Sequence, residues 1–300
     1  MRETHNNLSS PRKRLPDYLL KKVRLGGETF KLKRRLRSLE VTTVCENARC
    51  PNITECFEAG ELTFMIMGST CSRNCGFCGV RSGNPSALDP DEPKKIAAAA
   101  EELELKYVVL TSVTRDDLSD GGAAHFAACI RKLKDRIPGV GVEVLIPDFQ
   151  GDVRALKTVL RENPDVLAHN LETVKRLCYQ ARPGADYRRS LAILRIAAET
   201  RPDIPVKSGF MVGLGETDPE IEELMTDIHA AGCSMLTIGH YLPPTRENIP
   251  MINPVPPEKF EDWRDQALEI GFKSVSSGVF VRSSHHALEQ LKHFKDYAAL

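Results

Sequence analysis

From residue 62 onward the chain alternates short apolar runs with stretches of helical spacing. The extended runs are LTFMIMG (62–68), YVVLTSV (107–113), GVEVLIP (141–147), DVLAHN (165–170), VKSGFMVG (206–213) and MLTIGHY (235–241). Their length and β-branched content predict buried strands. Between them apolar residues recur every three or four positions, as Ile96, Ala100 and Leu103 do in DEPKKIAAAAEELEL. Comparable patterns cover 121–136, 152–162, 187–200, 218–231 and 257–270. Strands alternating with helices of this length predict parallel βαβ units. Six strands are too few for a closed eight-stranded barrel; they suit a partial barrel or an open doubly wound sheet. Residues 1–60 lack the alternation and read as an N-terminal extension. The α/β body is expected over 61–270, with a C-terminal extension over 271–300.

Composition narrows the class. The chain has 300 residues, no net formal charge and 41% hydrophobic residues, an ordinary globular balance. No apolar run approaches the roughly 18 residues of a membrane span. The start, MRETHNNLSSPRKRLPDYLL, carries no apolar core of signal-peptide length. A cytoplasmic protein with no membrane association is expected. Charge is uneven: residues 11–37 hold eleven Lys or Arg against Asp17 and Glu28. No aromatics are interleaved in the manner of a nucleic-acid surface, so no nucleic-acid partner is expected. A solvated face and a dock for an acidic protein both fit the run.

Nine cysteines change the picture further. In a chain of this size without an export signal they point to metal or thiol chemistry rather than disulfides. Cys129, Cys178 and Cys233 sit in apolar contexts and read as small buried hydrophobes. The other six fall in two groups. CSRNCGFC spaces Cys71, Cys75 and Cys78 as C-x3-C-x2-C, just after the first strand, where parallel α/β folds place their sites. Thiolates suit zinc and iron–sulfur clusters, but a structural zinc site wants a fourth ligand, and no second paired motif follows. A 4Fe–4S cubane held by three thiolates leaves one iron open. That iron can chelate an amino and a carboxylate group, and S-adenosylmethionine offers both. Phe77, directly before the last cysteine, is suited to packing on an adenine ring. The second group, CENARCPNITEC, spaces Cys45, Cys50 and Cys56 as C-x4-C-x5-C. The two groups could share ligands, though two separate clusters are the simpler reading.

The pattern C-x3-C-x-aromatic-C resembles the signature of the radical S-adenosylmethionine (SAM) superfamily, whose fold is a partial (β/α)6 TIM-type barrel. The second spacing, with TVCENARCPNITECF, TSVTRDDLSDGGAAHFA, VEVLIPDFQG, NLETVKRLCYQARPGADYRRSL, LTIGHYLPPT and SGVFVRSSHHA, resembles the lipoyl synthase family over nearly the whole chain. The resemblance implies two 4Fe–4S clusters. Cys71, Cys75 and Cys78 would hold the one that binds SAM, and Cys45, Cys50 and Cys56 an auxiliary one. It maps the auxiliary cluster's serine ligand onto Ser284, within Arg282-Ser283-Ser284-His285, where His285 replaces the motif's tyrosine. Gly209, Met211, Gly213 and Glu216 match an adenine-contacting motif. Asn170 and Glu172 are candidates for the ribose or methionine part, with helix capping as the competing explanation for Asn170. Arg182 would neutralise the cofactor carboxylate or simply lie on a surface. The loop residues Arg115, Asp116 and Asp117 suit site polarity and helix capping equally. The implied activity is a sulfurtransferase reaction: sulfur insertion at carbons 6 and 8 of an octanoyl chain on a carrier lysine, with two SAM per lipoyl group. The implied partners are octanoylated carriers (2-oxoacid dehydrogenase E2 subunits and the glycine cleavage H protein) and a reductant such as flavodoxin or ferredoxin.

Overall fold

The computed structural model describes residues 14–21 and 27–298. Among the described residues nine strands occur in chain order: β1 Thr63–Ile66, β2 Thr70–Cys71, β3 Arg81–Ser82, β4 Tyr107–Ser112, β5 Gly141–Leu145, β6 Val166–Ala168, β7 Val206–Val212, β8 Met235–His240 and β9 Ser274–Gly278. Seven form one parallel sheet in the order β1-β4-β5-β6-β7-β8-β9. Registers such as Thr63↔Val109 and Leu236↔Val275 define it. The order follows the sequence and never reverses. This excludes the doubly wound alternative, which needs a switch point. β1 and β9 do not pair, so the barrel is partial.

All six expected strands are present, trimmed at their ends. Val108, Val109 and Leu110 of β4 are buried, as a strand covered on both faces requires. The helices lie at Glu92–Glu102, Ala123–Arg136, Val153–Leu160, Tyr187–Thr200, Asp218–Ala230 and Pro257–Ile270, matching the periodic segments. Their starts are fixed locally. Asp152 and Asp186 accept hydrogen bonds from the backbone N–H groups of Arg154 and Arg189, and Thr217 forms a capping box with Glu220. The seventh strand, β9, was not expected. SVSSG has one apolar residue and no alternation, and only pairing with β8 makes it a strand. The sheet therefore runs on past residue 270.

Inside the barrel lies a buried ion pair. Lys207 Nζ donates to Glu143 Oε1 at 2.9 Å, and Tyr107 Oη donates to Glu143 Oε2 at 3.0 Å. These residues sit toward the strands' N-terminal ends, where barrels carry stability rather than chemistry.

The gap between the sheet edges is closed by the two extensions. Thr43 bridges Phe64, and the Met65 N–H donates to Thr42 O, so the N-terminal extension covers the β1 edge. Its helices Gly27–Ser38 and Ile53–Glu58 bury Leu36 and Phe57. Asn52 Nδ2 donates to Phe280 O at 2.6 Å, joining this extension to the chain after β9. That junction sets the second cysteine group against residues 282–285.

Candidate functional site

β1 delivers the first cysteine loop to the C-terminal edge of the sheet. Its ends are tied by the β2–β3 ribbon, and the Ser72 N–H and Oγ both donate to Thr114 O at 3.0 Å. Arg73 pins the middle. Its guanidinium donates two hydrogen bonds to Asp116, at 2.6 and 2.9 Å, and two to Asp148, at 2.7 and 3.0 Å. Asp148 is fully buried and also pairs with Arg189 at 2.8 Å. Burial pulls the Asp148 carboxyl upward, and Arg73 outweighs this, holding it well below the usual carboxylate range. On the other side Asn248 Nδ2 donates to Gly76 O and Cys78 O.

Cys71, Cys75, Phe77 and Cys78 line a cavity of about 210 Å³ together with Asn170, Glu172 and Arg182. Asn170 does not cap a helix. Its Nδ2 donates to Ser283 Oγ at 2.6 Å and to Glu172 Oε1 at 3.1 Å, and its buried Oδ1 has no partner. Arg182 is buried, not on a surface, and donates to Leu171 O at 3.0 Å. Burial raises Glu172 above its ordinary value, opposed by the charge of Arg182. Asp116 serves the cysteine loop, and Arg115 pairs with Asp117 at 2.8 Å. Gly209, Met211, Gly213 and Glu216 are not among the lining residues. Gly209 is a close-packing position: a Cβ there would meet Thr237 Oγ1 at 2.2 Å. Gly213 has φ +109°, and Glu216 accepts from the Gly213 and Leu214 N–H groups at 2.9 Å, closing the turn after β7.

The second cavity, about 30 Å³, is lined by Cys45, Cys50 and Cys56 with Arg282, Ser284 and His285. It shares no cysteine with the first. The two loops nevertheless touch, since a Cβ on Gly79 would lie 2.9 Å from Ala48 O. The segment after β9 straddles both cavities. Ser283 bonds Asn170 in the first, while Ser284 faces the second. Arg282 is within electrostatic reach of Cys50 on one side and Glu172 on the other. Burial, with the charges of His286 and Lys21, drives His285 down to about 4 despite Glu55.

The donor sets fit iron–sulfur clusters. All nine cysteines are free. Burial pushes Cys75 and Cys56 up to about 12, and Cys78 and Cys45 up to about 11. Thiolates in such places need cationic metal to exist. Backbone N–H groups are already aimed at sulfur: Thr114 and Arg73 at Cys71 Sγ (3.3 and 3.4 Å), and Val80 at Cys78 Sγ (3.4 Å). Each cavity offers three thiols, which leaves a position for another ligand.

Sequence reasoning missed Arg73, Asp148, Arg189 and Asn248. Their partners lie far along the chain; CSRNCGFC contains Arg73, VEVLIPDFQG Asp148 and NLETVKRLCYQARPGADYRRSL Arg189, but nothing in those strings gives any of them a role.

The radical SAM superfamily profile matches residues 65–228, more than half the chain, and the profile for the N-terminal domain of lipoyl synthase matches residues 2–50. Solved structures agree on the fold. The FeFe-hydrogenase maturase HydG from Carboxydothermus hydrogenoformans superposes with a TM-score of 0.59 at 12% identity, covering 89% of this chain and 68% of that one. The chain is thus a radical SAM protein. Among curated proteins, the lipoyl synthase of Syntrophotalea carbinolica is 53% identical over 92% of this chain and 90% of its own length. That of Methylococcus capsulatus is 50% identical over 92% and 86%. The chain belongs to the lipoyl synthase family.

Proposed function

We propose that this enzyme inserts sulfur at carbons 6 and 8 of an octanoyl chain amide-linked to a carrier lysine, completing the lipoyl group. The observation that carries it is the meeting of Ser284 with Cys45, Cys50 and Cys56, beside a cavity lined by Cys71, Cys75 and Cys78. Those C–H bonds have no activating neighbour, so acid–base chemistry does not reach them. When bound, a 4Fe–4S cluster on Cys71, Cys75 and Cys78 supplies the electron that turns SAM into a radical source.

The chain's own residues do the rest. Arg182, lining the cavity, would hold the SAM carboxylate and Glu172 its amino group. Asn170 Oδ1 is an unpaired acceptor for a ligand donor. Phe77 offers an apolar face to the adenine. Gly209 and Met211 lie in β7 and Gly213 and Glu216 in the turn that follows it, and we assign the four to adenine contact. Cys45, Cys50, Cys56 and Ser284 hold a second 4Fe–4S cluster, whose sulfide is a substrate. Ser284 holds iron less firmly than a fourth thiolate would, so the cluster can give up sulfide. Two SAM are used per lipoyl group, one for each carbon.

The partners are octanoylated carrier domains (E2 subunits and the glycine cleavage H protein) and a flavodoxin- or ferredoxin-type reductant. The nine free thiols suit a reducing cytoplasm. Among the described residues no helix is long and apolar enough to cross a membrane.

The test is an anaerobic assay with SAM, reductant and an octanoyl-lysyl peptide, read by mass spectrometry, on protein carrying about eight irons per chain. Triple Ala replacement of Cys71, Cys75 and Cys78 should end SAM cleavage. The same change at Cys45, Cys50 and Cys56 should end sulfur insertion but leave reductive cleavage measurable. Zinc in place of iron, or normal product from the second variant, would overturn the proposal.

A further inference from the structure

His285 lines the Ser284 cavity and also joins a group of side chains beside it that neither proposed cluster uses. Glu55, His285 and His286 each offer a ligand atom, and these atoms lie within 4.8 Å of one another. The His285 and His286 rings stand 4.0 Å apart between centroids. Only seven buried side-chain polar atoms lack a hydrogen-bond partner among the described residues. Three of them, His285 Nε2, His286 Nδ1 and Glu61 Oε2, collect here. An unpaired buried polar atom costs about 1–3 kcal/mol, so three at one spot call for a missing partner. Glu61 Oε1 lies 3.4 Å and Glu289 Oε2 3.7 Å from His286 Nδ1, too far for good hydrogen bonds but close enough to favour positive charge there. The opposing cations are Arg282, which acts on His285, and Lys21, whose Nζ sits 2.5 Å from Glu55 Oε2 and 2.7 Å from Asn52 Oδ1.

The geometry points to a mononuclear site for a first-row divalent cation, held by Glu55, His285 and His286. Two imidazoles and one carboxylate form the donor set of non-haem ferrous sites and leave open positions. It is too nitrogen-rich for magnesium or calcium, which prefer all-oxygen shells. Three carboxylates, Glu55, Glu61 and Glu289, against Lys21 and Arg282 leave a net negative surround. Fe2+ is the ion the neighbourhood would supply, because the adjoining cluster sheds iron as its sulfide is consumed. Naming the ion as iron rests on the function proposed above; the site itself does not.

The experiment uses tag-free, full-length protein with its clusters in place, dialysed anaerobically against Co2+. One Co2+ per chain is expected beyond the cluster iron. Glu55→Gln and His286→Ala should each weaken its binding about 10–100-fold. Lys21→Ala should tighten it by removing a competing cation. Glu55 is surface-exposed, so its variant should fold and retain full cluster iron. No Co2+ uptake, or uptake indifferent to the Glu55 and His286 changes, overturns the site. For the ion, clusters labelled with 57Fe are taken through one turnover. A high-spin ferrous Mössbauer doublet should appear in the wild type and be missing in His286→Ala. If neither shows it, the site does not take that iron. Product formation is read on the same samples. Lipoyl product without Co2+ binding sinks only this site, and Co2+ binding without product sinks only the reaction.

Discussion

At the residue scale the adjacent serines carry the most information. Ser283 and Ser284 enter different cavities from a turn that the His285 N–H closes by donating to Arg282 O at 2.9 Å, and Asn170 holds Ser283 in place at 2.6 Å. Exchanging Ser284 tests the argument that an oxygen ligand is there to be released. Ser284→Cys should keep a stable auxiliary cluster that resists sulfide extraction. Ser284→Ala should expose one iron and lose the cluster early. Both should cut lipoyl product by at least the roughly 10–100-fold typical of disturbing a metal site's support. The iron on Cys71, Cys75 and Cys78 should persist in both, as counted by iron analysis and 5′-deoxyadenosine release. Near-normal product from Ser284→Ala would remove Ser284 as the ligand and turn attention to Ser283 and His285.

At the scale of elements, the C-x3-C-x2-C loop has no regular structure of its own beyond its paired ends. Its shape is borrowed from Arg73 bridging Asp116 and Asp148, residues that follow β4 and β5. Removing one member of a buried ion pair costs about 3–5 kcal/mol, because the other charge is left uncompensated. Asp148→Asn should therefore lower the thermal midpoint and reduce iron at the first site, while iron at Cys45, Cys50 and Cys56 is spared. The pH dependence has a definite sign. Asp148 is held below its unfolded value of about 3.9, so its contribution is full above that value and fades as pH falls through the folded one. The stability gap between wild type and Asp148→Asn, measured by denaturant titration, should be flat from about pH 5 to 8 and shrink below about pH 4. A gap that grew in acid would contradict the pairing.

At the scale of the whole molecule, the extensions turn an open sheet into an enclosed site, and the N-terminal one also carries charge. Residues 11–13 and 22–26 of the basic run lie outside the described residues. In the helix Gly27–Ser38, Arg35 is already committed to Glu102 at 2.6 Å, so Lys33 and Arg34 are the better probes of an acidic carrier dock. Exposed charges act on encounter rate and are screened by salt. Reversing Lys33 and Arg34 should slow turnover on intact octanoylated carrier by about tenfold at low salt. The effect should vanish at high salt and on a short octanoyl-lysyl peptide. Equal losses on both substrates would locate the defect in folding or cofactor binding.

Local pattern was enough for the first six strands of the sheet, their helices and both cysteine groups. Periodicity of two and 3.6, capping residues and ligand spacing all act within a few residues of chain. The family resemblance singled out Ser284 before the structure placed it, since nothing in RSSH distinguishes a ligand from a polar turn. Tertiary structure alone decided what depends on distant partners. β9 exists because β8 offers it a ladder, and Arg73 acquires its role from carboxylates 43 and 75 residues away. Asn170, open to a capping explanation in sequence, spends its amide on a serine 113 residues on. The gathering of Glu55, His285 and His286 likewise exists only because the two extensions meet across the open side of the barrel.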